Sequence, residues 1–135
     1  MPRSRLLFVL LLPLLLLTMA FRQSPLVDPP PINVPASMTT TQVSKAVKGA
    51  LIGRGWVPSN EQVNGVDATL TGKDYTAKIH VAFDTRQVKI SYVDSTHLKY
   101  EMKKDGTRMI HTNYLNWMRF LTEDIGRNLQ LISAT

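Results

Sequence analysis

The hydrophobic pattern of this chain changes period twice, and that order limits the possible folds more tightly than any single motif. Val43, Ala46, Val47, Ala50 and Leu51 recur at helical spacing. From Trp56 onward the period changes to two, and after Asp105-Gly106 it turns helical again. An apolar residue every three or four positions gives one greasy stripe on a helix; every second position gives one greasy face on a strand. The order helix, strands, helix therefore predicts an α+β protein.

Each element carries its own start and stop signals. Thr39 with Gln42 three residues on forms a capping box, placing a helix over about 40–53, and Gly53 and Gly55 stop it. Val66, Ala68 and Leu70 alternate with Asp67, Thr69 and Thr71; Ala77, Ile79, Val81 and Phe83 alternate with Lys78, His80 and Ala82; Val88, Ile90 and Tyr92 alternate with Lys89 and Ser91. These are half-buried antiparallel strands, with turns at Gly72-Lys73-Asp74 and Thr85-Arg86. Trp56–Glu61 adds a further strand, which Pro58 confines to an edge. Leu98, Tyr100 and Met102 also alternate, so the last strand is expected to continue past a kink near Asp94–Thr96.

The closing helix carries Ile110, Tyr114, Trp117, Leu121, Ile125 and Leu129 on one stripe, with Arg119–Glu123 and Glu123–Arg127 spaced for ion pairs outside it. One apolar sheet face needs cover, and each helix offers one stripe. The expected architecture is a two-layer sandwich, an antiparallel sheet of three to four strands covered on one face by both helices.

The first twenty residues fix the destination. Arg3 and Arg5 precede an apolar run from Leu6 to Leu17, and Thr18-Met19-Ala20 follows with small residues suited to a cut before Phe21. This is the layout of a signal peptide, so residues 1–20 are read as a leader and the product as periplasmic or secreted. An uncleaved leader anchoring the protein to the inner membrane is the alternative, and the only expected link to a membrane. Residues 21–37 hold Pro25, Pro29, Pro30, Pro31 and Pro35 and read as a Pro-rich linker, with a single α+β domain over 38–135.

Composition removes several function classes. With no cysteine in the chain, thiol catalysis, zinc–thiolate sites and iron–sulfur clusters are excluded, and the exported domain must rest on a packed core without disulfides. The net charge of +6 is spread out, with Lys103-Lys104 the only adjacent basic pair after the leader, and it lacks the dense stripe of a nucleic-acid binder. No nucleic acid, cofactor or metal is expected.

Two surfaces are candidates for binding. With a two-residue turn at Thr85-Arg86, Ala82 faces Lys89, His80 faces Ser91 and Lys78 faces Val93, so Lys78, His80 and Lys89 share the open sheet face. The second is a polar group at the strand end and final helix start: Ser95, His97, His111, Asn113, Tyr114 and Asn116. Asp94, Ser95 and the histidines suggest hydrolase chemistry only superficially, since no nucleophile elbow is present. No histidine pair has metal-motif spacing either. The expected function is an exported non-catalytic envelope module that binds an unknown envelope protein or component. The alternative is a small periplasmic enzyme or metal-binding protein using His97 and His111.

Three separated motifs occur in order: Arg54-Gly55-Trp56, then Ile90-Ser91-Tyr92 with Asp94-Ser95 and Leu98, then Ile110-His111, Asn113-Tyr114 and Trp117. This pattern, over most of residues 40–129, resembles a family of small uncharacterised proteobacterial envelope proteins, many of them lipoproteins by their leaders. Members often carry histidine at Tyr75 and asparagine at His97, and an asparagine where this chain has Leu115. The resemblance implies an envelope location and an α+β fold, and supplies no reaction.

Overall fold

The computed structural model describes residues 22–135, so the leader reading lies outside the described residues. Among the described residues two helices and eight strands occur in the order β1 (Gln23–Pro25), β2 (Ile32–Asn33), α1 (Thr40–Gly53), β3 (Val57–Gln62), β4 (Gly65–Thr71), β5 (Thr76–Phe83), β6 (Gln87–Thr96), β7 (Glu101–Met102), β8 (Arg108–His111) and α2 (Thr112–Ser133). The strands form a five-stranded antiparallel sheet, order β2-β6-β5-β4-β3, and a small three-stranded one, order β1-β8-β7. The α+β class expected from the periodicities is the class observed.

Helix α1 starts on the capping box: the Thr39 hydroxyl accepts from the Gln42 amide and the Gln42 side chain accepts from the Thr39 amide. Gly55, at φ +84°, then turns the chain into β3, a left-handed conformation that glycine adopts without strain. Alternation decides the packing. Val66, Ala68, Ile79, Val81, Val88 and Ile90 point inward to a single core with Val47 and Leu51 of α1 and Leu121 and Ile125 of α2. Trp56, 2 % exposed, closes that core behind the helix stop. The opposite parity, Asp67, Thr69, Lys78, His80, Lys89 and Ser91, lies on the outer face. Among the described residues no helix is long and apolar enough to cross a membrane.

Four expectations need correction. The sheet has five strands rather than three to four, and a second sheet accompanies it. The Pro-rich segment is not a free linker: β1 pairs with β8, β2 pairs with β6, and Leu26 is buried at 7 % exposure. Proline forbids a helix there but leaves an edge strand open, and each of these short strands lies at a sheet edge. The last long strand ends at Thr96. His97 and Lys99, at φ +56° and +55°, turn the chain so that Glu101 and Met102 join the small sheet. Ile110 belongs to β8 rather than the helical stripe, where Met118 is buried instead.

The edges of the large sheet are blunted. Strand β3 carries Pro58 and an irregularity between Ser59 and Gln62, with Asn60 at φ +49°. On the other edge β2 covers only Gln87 and Val88, and beyond it the Asp28 carboxylate accepts the Tyr92 amide at 3.1 Å.

Candidate functional site

The outer sheet face is organised around Asp67, a residue not singled out from the sequence. Thr71 pairs with Thr76 across the β4–β5 turn, and counting back brings Asp67 opposite His80 and Thr69 opposite Lys78. His80 Nδ1 lies 2.7 Å from Asp67 Oδ1; Lys78 Nζ lies 3.9 Å from Oδ2; and Asn60 donates its side-chain amide to Oδ2 at 3.0 Å. The irregularity in β3 serves this contact, because the left-handed turn at Asn60 lets its amide reach β4. The hydrogen bond from Asn60, then that from His80, holds the Asp67 carboxyl below the usual carboxylate range, against the cost of burial. Asp67 is only 18 % exposed while the Lys78 and His80 side chains are 40 % and 43 % exposed, so an anchored carboxylate orients the accessible His80 and attracts the accessible Lys78.

The two-residue turn at Thr85-Arg86 places most of this face. His80 opposes Ser91 and Ala82 opposes Lys89, as the turn length requires, but the register shifts beyond Ile79 and Lys78 opposes Asp94, not Val93. Val93 is the extra residue, 47 % exposed. A bulge puts two residues of one strand against one of its partner and reverses the facing of the residues after it.

Asp67, His80 and Ser91 lie side by side on three strands, but they do not form a hydrolytic triad. The His80 ring leans over Gly65 on β4: a Cβ there would lie 3.0 Å from its Cε1 and 3.2 Å from its Nε2. Ser91 is on β6, on the other side of β5, and its hydroxyl donates to the His80 carbonyl at 3.4 Å. The imidazole and hydroxyl thus face different partners, and general-base activation of that serine has no geometry to use.

The strand-end group divides into separate structural roles. Because of the bulge, Ser95 falls on the side of Tyr92, and their hydroxyls meet at 2.7 Å. His111 is the N-cap of α2, its Nδ1 accepting the Asn113 amide at 3.0 Å. Asn113 contributes its backbone to that bond and its side chain is exposed. Tyr114 is 1 % exposed with its ring edge-on to Tyr92 at 5.7 Å, and burial pushes its phenol pKa up. Asn116 is half-buried one helical turn along from the cap. His97 alone of the group is exposed beside a broad concavity of about 720 Å³ that Lys73, Asp74 and Tyr75 also line. Among the described residues no group of three histidine, aspartate or glutamate side chains is gathered to hold a metal.

A third feature brings together residues from two separate sequence motifs, Arg54 and Trp56 from one and Trp117 from the other, around Tyr75. Tyr75 stacks on Trp117 at 5.1 Å and 25°, and Gly72 lies close against its ring. A Cβ at Gly72 would lie 2.2 Å from Tyr75 Cζ, so glycine makes room for the ring. Beside the stack, a cleft of about 340 Å³ is lined by Arg54, Trp56 and Phe120 among others. Arg54 lies over the Phe120 ring at 5.0 Å and pairs with Asp124 at 2.7 Å. Asp124 also takes Arg127 at 3.2 Å, and it is this carboxylate, rather than Glu123, that carries the helix ion pairs. Helical spacing placed Trp117 on the core stripe; its indole is half-buried and covers Tyr75. A comparison with family models finds no match, and comparisons with curated proteins and with solved structures find none either.

Proposed function

We propose that this chain is an exported, non-catalytic binding module of the bacterial envelope, periplasmic or secreted, and that it meets a protein partner through the outer face of its five-stranded sheet. The observation that carries the reading is Asp67. A mostly buried carboxylate, hydrogen-bonded to Asn60 and His80 and 3.9 Å from the Lys78 ammonium, orients the half-exposed imidazole beside that half-exposed lysine on the outer face. Preorganised polar groups lose little freedom on association, which favours recognition over an ordinary solvated face. Lys89 extends the basic row by one strand, and an acidic partner surface is its electrostatic complement.

The second reading, an enzyme or metal-binding protein built on His97 and His111, has weaker support. His111 spends its Nδ1 on the helix cap, and among the described residues neither histidine has a nucleophile or acid bonded to it. The sequence resemblance agrees with an envelope location, as does the leader.

The reading is tested by affinity capture from native envelopes, comparing the full chain with a Lys78→Ala, His80→Ala, Lys89→Ala variant. A partner retained by the first and lost by the second supports the sheet face. Capture that is unchanged in this variant but lost on changing His97 and His111 contradicts it.

A further inference from the structure

The small sheet holds the point at which the chain enters its folded part. The Arg22 carbonyl accepts from the Thr112 amide at 2.9 Å and from the Thr112 hydroxyl at 3.2 Å, and Gln23 then pairs with His111. Whatever precedes Arg22 therefore departs beside the N-terminus of α2. The apolar run ends at Leu17, five residues earlier. Five residues reach at most about 18 Å, so an uncleaved leader inserted in a bilayer would keep this end of the domain close to it.

The surface at that end suits such a position. The segment Lys99-Tyr100-Glu101-Met102-Lys103-Lys104 forms the outer strand and turn of the small sheet. Tyr100 and Met102 are 39 % and 62 % exposed. Tyr100 is braced by stacking on Tyr92 at 5.0 Å and 9°. Arg108 pairs with Met102 across the small sheet. Lys99, Lys103 and Lys104 flank Tyr100 and Met102 along the chain and Arg108 lies opposite Met102 on the next strand, against Glu101 and Asp105. Exposed aromatic and thioether side chains flanked by long basic ones suit the boundary between headgroups and acyl chains. There the apolar tips enter while the cations remain with the phosphates.

We infer that the small sheet, through Tyr100 and Met102 with Lys99, Lys103, Lys104 and Arg108, docks on an anionic lipid bilayer surface. This goes beyond the sheet-face reading and does not depend on it, because the residues are different. Each lysine or arginine near an anionic surface adds a modest attraction, so the contact is weak alone and effective beside a tether.

The natural lack of cysteine makes the test direct. A single cysteine replaces either Met102 or the 79 %-exposed Val63 of the β3–β4 turn in the full chain, and each carries an environment-sensitive fluorophore. On vesicles containing phosphatidylglycerol, the probe at position 102 shifts to the blue and the probe at 63 does not. Adding Lys103→Gln and Lys104→Gln weakens that response by about tenfold or more in lipid titrations. Pure phosphatidylcholine vesicles, into which the apolar leader can still insert, produce a smaller shift that the lysine changes leave unaltered. A probe at 102 that reports water on anionic vesicles overturns the inference, and so does an equal shift on phosphatidylcholine.

Discussion

His80 Nδ1 lies 2.7 Å from Asp67 Oδ1, joining neighbouring strands on the outer face of the sheet. Replacing the acid by its amide, Asp67→Asn, leaves the size of the side chain but removes the charge that Lys78 and Asn60 also use. The expected cost is about 1–2 kcal/mol, between that of an exposed ion pair and a hydrogen bond to a buried charged group. Because folding depresses the Asp67 pKa, its contribution is complete above the unfolded carboxylate value of about 4 and is lost as pH falls through the lower folded value. Urea unfolding at neutral and acidic pH checks this: the gap between wild type and variant should close in acid.

The cap at His111 gives a second pH effect with a different midpoint. Its Nδ1 must be unprotonated to accept the Asn113 amide, and burial, then the Lys99 and Arg22 charges, push its pKa down. The unfolded state therefore takes up the proton first, and stability falls as pH drops below about 6.5. His111→Asn keeps a cap acceptor without a titrating group and should lose that component of the thermal midpoint's pH dependence. His111→Ala should cost about 1 kcal/mol even at neutral pH.

The hydroxyl of Tyr114 separates a structural role from a binding role. It is buried, and among the described residues no protein group bonds to it. Tyr114→Phe keeps the edge-on contact with Tyr92 and should be neutral or stabilising by up to about 1 kcal/mol, since an unpaired polar atom is removed. Tyr114→Ala should cost about 3–5 kcal/mol. A large loss in the phenylalanine variant, read by chemical denaturation, would show that the hydroxyl has a partner.

The arm before α1 is part of the fold. Leu26→Ala, at a buried position, should cost about 2–3 kcal/mol, whereas Val27→Ala, at 69 % exposure, should change stability by no more than about 0.5 kcal/mol. Equal, negligible effects in equilibrium unfolding would mean that the arm does not pack.

Local rules made the long elements legible. Thr39 and Gln42 marked the start of α1, the parity of Ile79 and Ile90 marked the buried face, and the Thr85-Arg86 turn set His80 against Ser91. The features that stayed hidden were those decided by distant pairing. Pro25 hid β1, because its strand exists only through β8, more than eighty residues away. Alternation ran through Leu98 to Met102 without showing that His97 and Lys99 would turn left-handed and send the chain to another sheet. The bulge at Val93 moved Lys78 from Val93 to Asp94. Asp67 was visible as an outward residue, yet its importance emerges only from the β4–β5 register combined with the turn at Asn60.

The most direct test of the sheet-face proposal is site-specific photo-cross-linking in living cells. One photoreactive residue replaces Ser91 on the outer face, and in a second strain one replaces Glu123 on the solvent side of α2. The proposal predicts a discrete cross-linked product from position 91, absent from position 123 and abolished by Lys78→Ala with Lys89→Ala. A product from position 123 alone, or one from position 91 that survives loss of both lysines, would contradict it.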